Sequence, residues 1–350
     1  MTPLGFPSAL PFRRPPSPHR ADRPLRYTWQ PLGRSDVDAP LIPVALNERG
    51  DLLAYSSRPQ RHEGDRHLHH GVHTHRGTIV RTAETENTVP FAALASNGLV
   101  AGATGGSYRE LRAWASHLGT FGDDLWPDTV SLATGVNAAG LVVGQAYLEV
   151  GLLLLSRAFV VTPDGRGRFL TPPGGGTTVA AAINDDGDIL LNATPLGALP
   201  GQTQAWVYRH GIYMPLGDLG SGHASVCALT AGGRTIGSSR TASGQHHAFL
   251  GENDHLIDLG TLPGWSCEPT DGNDHGTVVG RLTGARGERR AFHWRPERGM
   301  EILLDLAPEA AADGWVFDEA VAINAAGAIA VAGHHRGEPA GGILSPENPI

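Results

Sequence analysis

The stretch Val321-Ala322-Ile323-Asn324-Ala325-Ala326-Gly327 decides the fold, because the chain repeats this pattern seven times. The other six copies end at the turn glycines Gly50, Gly98, Gly140, Gly187, Gly233 and Gly276. Successive turn glycines are 48, 42, 47, 46, 43 and 51 residues apart. A nearly fixed period of this size with strand-type patterning is typical of small sheets arranged around an axis.

Each repeat supplies four short runs of strand-forming residues. An Asn-x-x-Gly connection between the first two runs is a tight hairpin, because glycine accepts the positive φ that other residues resist. The third run carries a polar residue, alanine and an aromatic residue, as in His247-Ala248-Phe249, and the fourth often contains Leu-Gly, as in Leu259-Gly260. Four strands per period make one propeller blade, so the sequence predicts an all-β fold, a single seven-bladed β-propeller over residues 26–350.

The two ends of the chain complement each other. The seventh repeat has only three runs, the last at Gly341 to Leu344, and a matching fourth run lies at Arg26 to Gly33. We therefore expect an N-terminal strand to close the ring, which hides two open sheet edges at once. Residues 1–25 hold seven prolines and four arginines. This composition predicts a disordered leader with no apolar stretch of the kind that an export signal needs.

These motifs resemble a known family. The triplets His247-Ala248-Phe249 and Arg290-Ala291-Phe292, the Ile-Asn-x-x-Gly turns and the segment Asp258 to Leu262 are similar to those of the HAF-repeat proteins. The resemblance covers about residues 26–346. It implies a repeat architecture and assigns no catalytic residue.

The composition excludes several functions. The chain contains no lysine, since all 27 basic residues are arginine, which excludes Schiff-base chemistry, a covalently bound pyridoxal cofactor and a P-loop lysine. A net charge of −8 argues against a nucleic-acid partner. No apolar run approaches the length needed to span a membrane. The sequence predicts a cytoplasmic bacterial protein with a small-molecule ligand and no cofactor, and it leaves the oligomeric state open.

One residue breaks the pattern of the innermost strands. Two residues before the turn Asn, the sixth repeat has Asp271, whereas each of the other six repeats has alanine or glycine. A carboxylate on an innermost strand would be desolvated, which raises its pKa and prepares it to donate or accept a proton. The alternative is that Asp271 accepts hydrogen bonds from neighbouring backbone amides or a buried water.

Further candidates for proton transfer lie near the same rim. Glu268 and Glu319 both lie five residues before the turn Asn in adjacent repeats, and paired acids suit general acid–base work. The alternative is a pair of ordinary surface charges. His223 enters blade five from this rim and is the histidine that we expect to transfer protons. Of the two cysteines, Cys267 is expected to be the more exposed and Cys227 to be inert packing.

Aromatic and acidic residues in the rim loops predict a substrate site. Trp126, Trp265 and Trp315 lie in the loops that enter blades three, six and seven, where they could stack on a ligand or cap the sheets. Asp124 and Asp318 lie close to them in sequence. Tyr147 begins a mostly apolar segment in blade three, which predicts a largely apolar substrate.

A histidine-rich segment offers an alternative metal site. His67 and His69, and likewise His73 and His75, have the spacing that places both rings on one face of a strand, a common way to hold a transition metal. The repeat pattern places His73 and His75 in a third strand, away from the axis. We therefore expect that this segment forms a polar loop and an outer strand and that it binds no metal.

Two functions follow from the sequence. The first is a cofactor-independent acid–base enzyme, a lyase, isomerase or cyclase, with Asp271 as acid or base and Glu268 and Glu319 as its partners. The second is a non-catalytic propeller that binds a protein or a small ligand on its rim. Propellers support both, so the fold alone does not separate these hypotheses.

Overall fold

The computed structural model describes most of the chain. The described residues are 25–35, 39–57, 68–75, 78–86, 91–105, 110–122, 126–127, 129–150, 153–198, 201–252 and 255–347. They form seven four-stranded antiparallel sheets, together with one 3₁₀ turn at Leu303–Leu306 and one short helix, α1, at Pro308–Ala312. The prediction of an all-β propeller with seven blades is confirmed. The predicted leader lies almost wholly outside the described residues.

The strands are numbered along the chain. Blade one contains β2 (Ile42–Leu46), β3 (Leu52–Ser57), β4 (Leu68–His75) and β5 (Thr78–Glu86). Blade two contains β6 (Phe91–Leu94), β7 (Val100–Thr104), β8 (Arg112–Ala115) and β9 (Gly119–Thr120). Blade three contains β10 (Val130–Val136), β11 (Val142–Val150), β12 (Leu153–Val161) and β13 (Gly167–Leu170). Blade four contains β14 (Thr177–Ile183), β15 (Ile189–Thr194), β16 (Gln204–Arg209) and β17 (Ile212–Pro215).

The other three blades follow the same order. Blade five contains β18 (Gly220–Leu229), β19 (Thr235–Thr241), β20 (His246–Glu252) and β21 (His255–Gly260). Blade six contains β22 (Trp265–Gly272), β23 (Val278–Gly284), β24 (Arg289–Arg295) and β25 (Gly299–Ile302). Blade seven contains β26 (Trp315–Ile323), β27 (Ile329–His335) and β28 (Glu338–Pro346), and β1 (Tyr27–Pro31) is its outer strand.

The N-terminal strand closes the ring, as the sequence predicts. Strand β1 pairs antiparallel with β28, so that Trp29 lies opposite Leu344. The Trp29 ring packs against Trp315 and Phe317 of β26, with ring centroids 4.9 and 4.6 Å away. Blade seven therefore joins residues from both ends of the described chain, and an aromatic cluster stabilises this closure.

The repeated asparagine has a structural role that extends beyond its own turn. The Oδ1 atom of Asn137 accepts a hydrogen bond from the backbone N–H of Leu141, and its Nδ2 atom donates to the carbonyl of Asn184 in the next blade. Asn273 donates to the carbonyl of Asn324 in the same way, and Asn324 donates to that of Asn47. Each of these side chains thus shapes one hairpin and ties two blades together.

The aromatic residue of the third strand explains a second repeated residue, the glycine in strand two. Phe159 and Phe249 are fully buried, and they pair across the sheet with Gly144 and Gly237. A Cβ atom on Gly144 would lie 2.6 Å from the Phe159 ring, and one on Gly237 would lie 2.5 Å from the Phe249 ring. The backbone carbonyl oxygens of Leu132 and Ser225 would lie still closer, so a side chain at either glycine would meet both the backbone of strand one and the ring.

We predict that Asn137→Asp lowers the free energy of unfolding by about 1–3 kcal/mol, because the new carboxylate would oppose the Asn184 carbonyl in a buried position. Asn137 is only 2% exposed. Chemical denaturation at neutral pH measures the change. Asn97→Asp is a matched control, because the exposed Asn97 side chain also donates across a blade boundary, to the carbonyl of Ala138. A loss at position 97 as large as that at position 137 would contradict the role of burial.

Candidate functional site

Asp271 lies near the end of β22, the innermost strand of blade six. Its Oδ1 atom accepts a hydrogen bond from the backbone N–H of Gly272 (2.8 Å). Its Oδ2 atom accepts one from the backbone N–H of Ile323 in blade seven (2.9 Å). Burial raises the pKa of Asp271 to about 7, although the two hydrogen bonds lower it, and the charge of Glu48 raises it further. The carboxyl group is thus fixed in orientation and changes its charge near neutral pH.

An apolar side chain packs against the residue that follows Asp271. A Cβ atom on Gly272 would lie 3.0 Å from Ile236 of blade five, so the absence of a side chain at Gly272 leaves that space to Ile236. Cys227 of the same blade is close enough that the Asp271 charge raises the pKa of its thiol, after the larger effect of burial. As a whole residue, Asp271 is nevertheless only partly buried. An acid of this kind can exchange protons with a molecule in the channel that the innermost strands surround.

The structure brings the two predicted glutamates together through an arginine that sequence reasoning missed. Arg281 of β23 donates hydrogen bonds to Glu268, its cross-strand partner, and to Glu319 of blade seven. The Glu319 contact measures 3.4 Å. Both glutamates therefore accept charge-assisted hydrogen bonds from one guanidinium group. Arg281 lies five residues after its turn glycine, and a comparison of that position across the repeats is the signal that could have found it.

Arg281, Glu268 and Glu319 form the centre of a charged sector of the ring, and neighbouring blades extend it. The negative charge of Glu319, together with the larger effect of burial, raises the pKa of Tyr55 in β3. On the other side, burial lowers the pKa of His246 in β20, the charge of Arg240 lowers it further, and the charge of Glu268 raises it. Arg240 donates to the Nε2 atom of His246 (2.8 Å). The sector therefore runs from blade five through blades six and seven to blade one.

His223 lies apart from this sector, on β18 of blade five. Its Nδ1 atom is buried and has no hydrogen-bond partner among the described residues. The nearest carboxylate whose pKa it affects is Asp218, which accepts hydrogen bonds from the backbone N–H groups of Gly220 and Gly222. The structure shows no hydrogen bond between the described residues that joins His223 to Asp271 or to the two glutamates.

The predicted rim tryptophans have different positions. Trp126 is 4% exposed and stacks on Phe159 with ring centroids 4.7 Å apart, and Trp315 is 7% exposed and stacks on His335 at 4.6 Å. Both rings pack inside the sheets, in the capping role that the sequence left open. Trp265 is only partly buried.

The remaining predicted contacts are divided among the rim loops. Tyr147 accepts a hydrogen bond from the Nε2 atom of Gln145 in β11 (2.8 Å). Asp318 of β26 accepts one from His334 of β27. Asp124 lies outside the described residues. These side chains therefore do not form one site with Asp271 through any hydrogen bond of the described chain.

The histidine-rich segment forms no metal site within the described residues, where no three histidine, cysteine or acidic side chains are grouped to hold a cation. His69 packs edge-on against Tyr55, with ring centroids 5.8 Å apart. His73 is 7% exposed in β4, and the Nδ1 atom of His75 contacts Asp51 at 2.5 Å. His67 lies outside the described residues.

The expectation for the cysteines was wrong. Cys267 is fully buried, and burial raises its pKa to about 12, whereas Cys227 is the more exposed of the two. Strand β22 alternates between faces, and the face of Cys267 packs in the blade core, opposite to that of Glu268. Neither thiol has the lowered pKa that a nucleophilic cysteine needs.

No helix in the described part of the chain has the length and apolar character to cross a membrane.

Comparisons with known proteins support the fold. The β-propeller domain of the Trilobed protease from Pyrococcus furiosus matches with a TM-score of 0.54 at 8% identity, over 93% of this chain and 97% of that domain. That domain is described as having an open velcro topology, whereas here β1 closes the ring. The acylaminoacyl peptidase of Pyrococcus horikoshii matches with a TM-score of 0.53 at 10% identity, over 88% of this chain and 51% of that protein.

These likenesses show the propeller fold and no more. The identities are too low to carry a function across. No protein-family model matches the sequence, and no curated protein matches it. The resemblance to the HAF-repeat proteins stays a prediction.

Proposed function

We propose that the protein is a cofactor-independent enzyme that transfers protons through Asp271, as a lyase, isomerase or cyclase. The observation that carries the proposal is that burial raises the pKa of this one inner-strand carboxyl to about 7. A general acid or base is most effective when its pKa lies near the working pH. Six sibling repeats have alanine or glycine at this position, so the fold does not require a carboxyl group there.

The fixed orientation of the carboxyl group supports the same role. The N–H groups of Gly272 and Ile323 hold one oxygen each. The acid therefore does not have to be reoriented before a proton moves, which lowers the cost of reaching the transition state.

In this proposal Arg281, Glu268 and Glu319 anchor the substrate and do not exchange protons with Asp271. The two glutamates share one arginine and their carboxyl oxygens have further acceptor sites, so they are suited to accept hydrogen bonds from a polar end of the ligand. This revises the acid–base partnership that their sequence positions predict.

The test is a comparison of metabolites after incubation with three proteins: the wild type, Asp271→Asn and the control Asp186→Asn. Asp186 is an exposed carboxyl in the turn of blade four. We expect one metabolite to be converted to an isomer or elimination product by the wild type and the control, with a rate at least about 100-fold lower in Asp271→Asn. Equal conversion by all three proteins would contradict the role of Asp271.

A second candidate function, a non-catalytic propeller that binds a small ligand, is favoured by the Arg281 bridge. Its ion pairs give the rim a polar anchor without a free acid. This function predicts that a molecule co-purifies chemically unchanged, and that Arg281→Gln loses the molecule while Asp271→Asn retains it. Mass spectrometry of the bound fraction distinguishes the two candidates.

A further inference from the structure

Blade seven carries a local insertion in its innermost strand. Phe317 pairs with Gly333 and Glu319 pairs with Ala332, so Asp318 between them has no partner across the ladder. The equivalent pairs in blades three, four and six run without a break at this level, whereas blade five has its own irregularity between Gly220 and Ala224. Asp318 is therefore a β-bulge residue, and a bulge re-aims a side chain that the regular ladder would place elsewhere.

The bulge directs Asp318 to His334 on the neighbouring strand. The distance from His334 Nδ1 to Asp318 Oδ2 is 2.9 Å. A carboxylate only accepts, so the Nδ1 atom of His334 carries the proton and donates it to this hydrogen bond. When the ring is neutral, the lone pair is then on Nε2, and within the described residues no hydrogen bond occupies that atom.

The hairpin that carries His334 is well fixed. Arg336 and Gly337 both have positive φ, 51° and 86°, between the paired residues His335 and Glu338, as in a tight two-residue hairpin. His335 stacks on Trp315, and its Nε2 atom lies 3.0 Å from the carbonyl of Asp313. The charged group in contact with the His334 ring is Asp318, whereas Asp313 contacts His335 and Arg336, and Glu319 contacts Arg281.

Two other histidine–aspartate contacts differ in their surroundings. His75 is 44% exposed and its partner Asp51 is 3% exposed, whereas His247, which belongs to the repeated triplet, is 16% exposed and its partner Asp258 is 45% exposed. His334 is 41% exposed and Asp318 is 30% exposed. A ligand can therefore reach the imidazole rings of both His75 and His334, and in the His334–Asp318 pair the carboxylate is open to the ligand as well.

We propose that His334 is a general base on the rim of blade seven, with Asp318 as the residue that positions it. The ligand is a small molecule with an acidic C–H or O–H group. The Nε2 atom takes the proton, and the electron pair of the broken bond stays on the ligand. The Asp318 carboxylate stabilises the imidazolium that forms. This site is distinct from Asp271 and does not depend on the function proposed for it.

The first test determines which nitrogen carries the proton. Nitrogen-15 NMR of the imidazole rings, with His334 assigned from His334→Asn, should find the proton on Nδ1 and the lone pair on Nε2. Asp318→Asn should shift the ring toward the other tautomer, because an asparagine at this site can present its N–H to the ring. A wild-type ring with its proton on Nε2 would overturn the proposal.

The second test measures base strength with 5-nitrobenzisoxazole as the probe. A base removes its C–H proton, that electron pair forms the nitrile, and the N–O bond breaks to release a coloured phenolate. We expect His334→Asn to lower the protein-catalysed rate at least about tenfold, and Asp318→Asn to lower it less and to move the inflection of the pH–rate profile.

The asparagine at position 334 keeps a donor for Asp318, so the hairpin should stay folded, which circular dichroism checks. His255→Asn controls for ordinary surface imidazoles, because His255 is exposed on the outer strand β21. Its rate should equal that of the wild type. An unchanged rate in His334→Asn would overturn the proposal. The pKa of Asp271 is measured separately, so this result does not affect the first proposal.

Discussion

Asp271→Asn is expected to remove a fall in stability that the wild type shows as pH rises from about 4 to about 7. The folded protein keeps a proton on Asp271 up to a pKa of about 7, whereas the unfolded chain loses it near the ordinary value of 3.8. Between these values the folded state binds more protons, so the free energy of unfolding decreases as pH rises and becomes constant about one pH unit above the folded-state pKa.

The effect is large for one side chain. Each unit of pKa shift corresponds to about 1.4 kcal/mol, so the shift of Asp271 corresponds to at most about 4 kcal/mol between pH 4 and pH 8. Urea denaturation at several pH values in this range gives the free energy of unfolding of the wild type and of Asp271→Asn. The difference between the two proteins should change by this amount across the range. The exposed Asp186→Asn should differ from the wild type by a constant amount. A constant difference for Asp271→Asn as well would show that Asp271 ionises normally.

Lowering the pH is expected to destabilise the protein through His293, whereas raising the pH is expected to destabilise it through Asp271. His293 of β24 is 0% exposed. Its Nε2 atom lies 3.1 Å from Glu301, and its ring meets the edge of Tyr27 on the closing strand β1. Burial lowers the pKa of His293 from 6.5 to about 4, the contact with Glu301 raises it, and the charges of Arg295 and Arg298 lower it. Between pH 4 and pH 6.5 the folded state therefore binds fewer protons at His293 than the unfolded chain does.

The sign is opposite to that of Asp271. The stability that a neutral His293 contributes is complete above pH 6.5 and is lost as pH falls toward 4, by about 3 kcal/mol. His293→Gln keeps a donor for Glu301 and cannot take up a proton. We expect its midpoint of urea denaturation to fall less than that of the wild type between pH 7 and pH 4.5. An equal fall in both proteins would contradict the lowered pKa.

Between pH 4 and pH 6.5, Asp271 and His293 have opposite effects on the free energy of unfolding. The dependence of wild-type stability on pH is therefore flatter than either effect alone. The difference between each variant and the wild type separates them. The two positions lie on different strands of blade six, β22 and β24, so we expect their effects to be nearly additive. The double variant Asp271→Asn/His293→Gln checks this.

The fold could be predicted because each blade repeats the residues that its geometry requires. The turn asparagines occupy a position that contributes two hydrogen bonds, one within the hairpin and one to the next blade. The paired glycine and phenylalanine share one volume in the sheet. The turn asparagine recurs in five of the seven repeats and the glycine–phenylalanine pair in blades three, five and six, so both are visible in a single sequence.

The candidate site could be predicted only in part, because it consists of exceptions to the repeat. Asp271 was visible as a substitution at one position. The bridge from Arg281 to Glu319 depends on the packing of neighbouring blades, and the contact between Asp318 and His334 depends on a bulge. A comparison across the repeats could identify Arg281 as an exception, but it does not report either contact. Trp126 and Trp315 were placed in the rim loops by sequence, but their rings turn into the sheets.

The most direct test of the proton-transfer account is the titration of Asp271 itself. Carbon-13 NMR of protein labelled at the aspartate carboxyl groups, with the Asp271 signal assigned from Asp271→Asn, gives its midpoint without reference to stability or substrate. The account predicts a midpoint of about 7. A midpoint at or below the ordinary value of 3.8 would show that the hydrogen bonds from Gly272 and Ile323 outweigh burial, and Asp271 would then be a structural anchor.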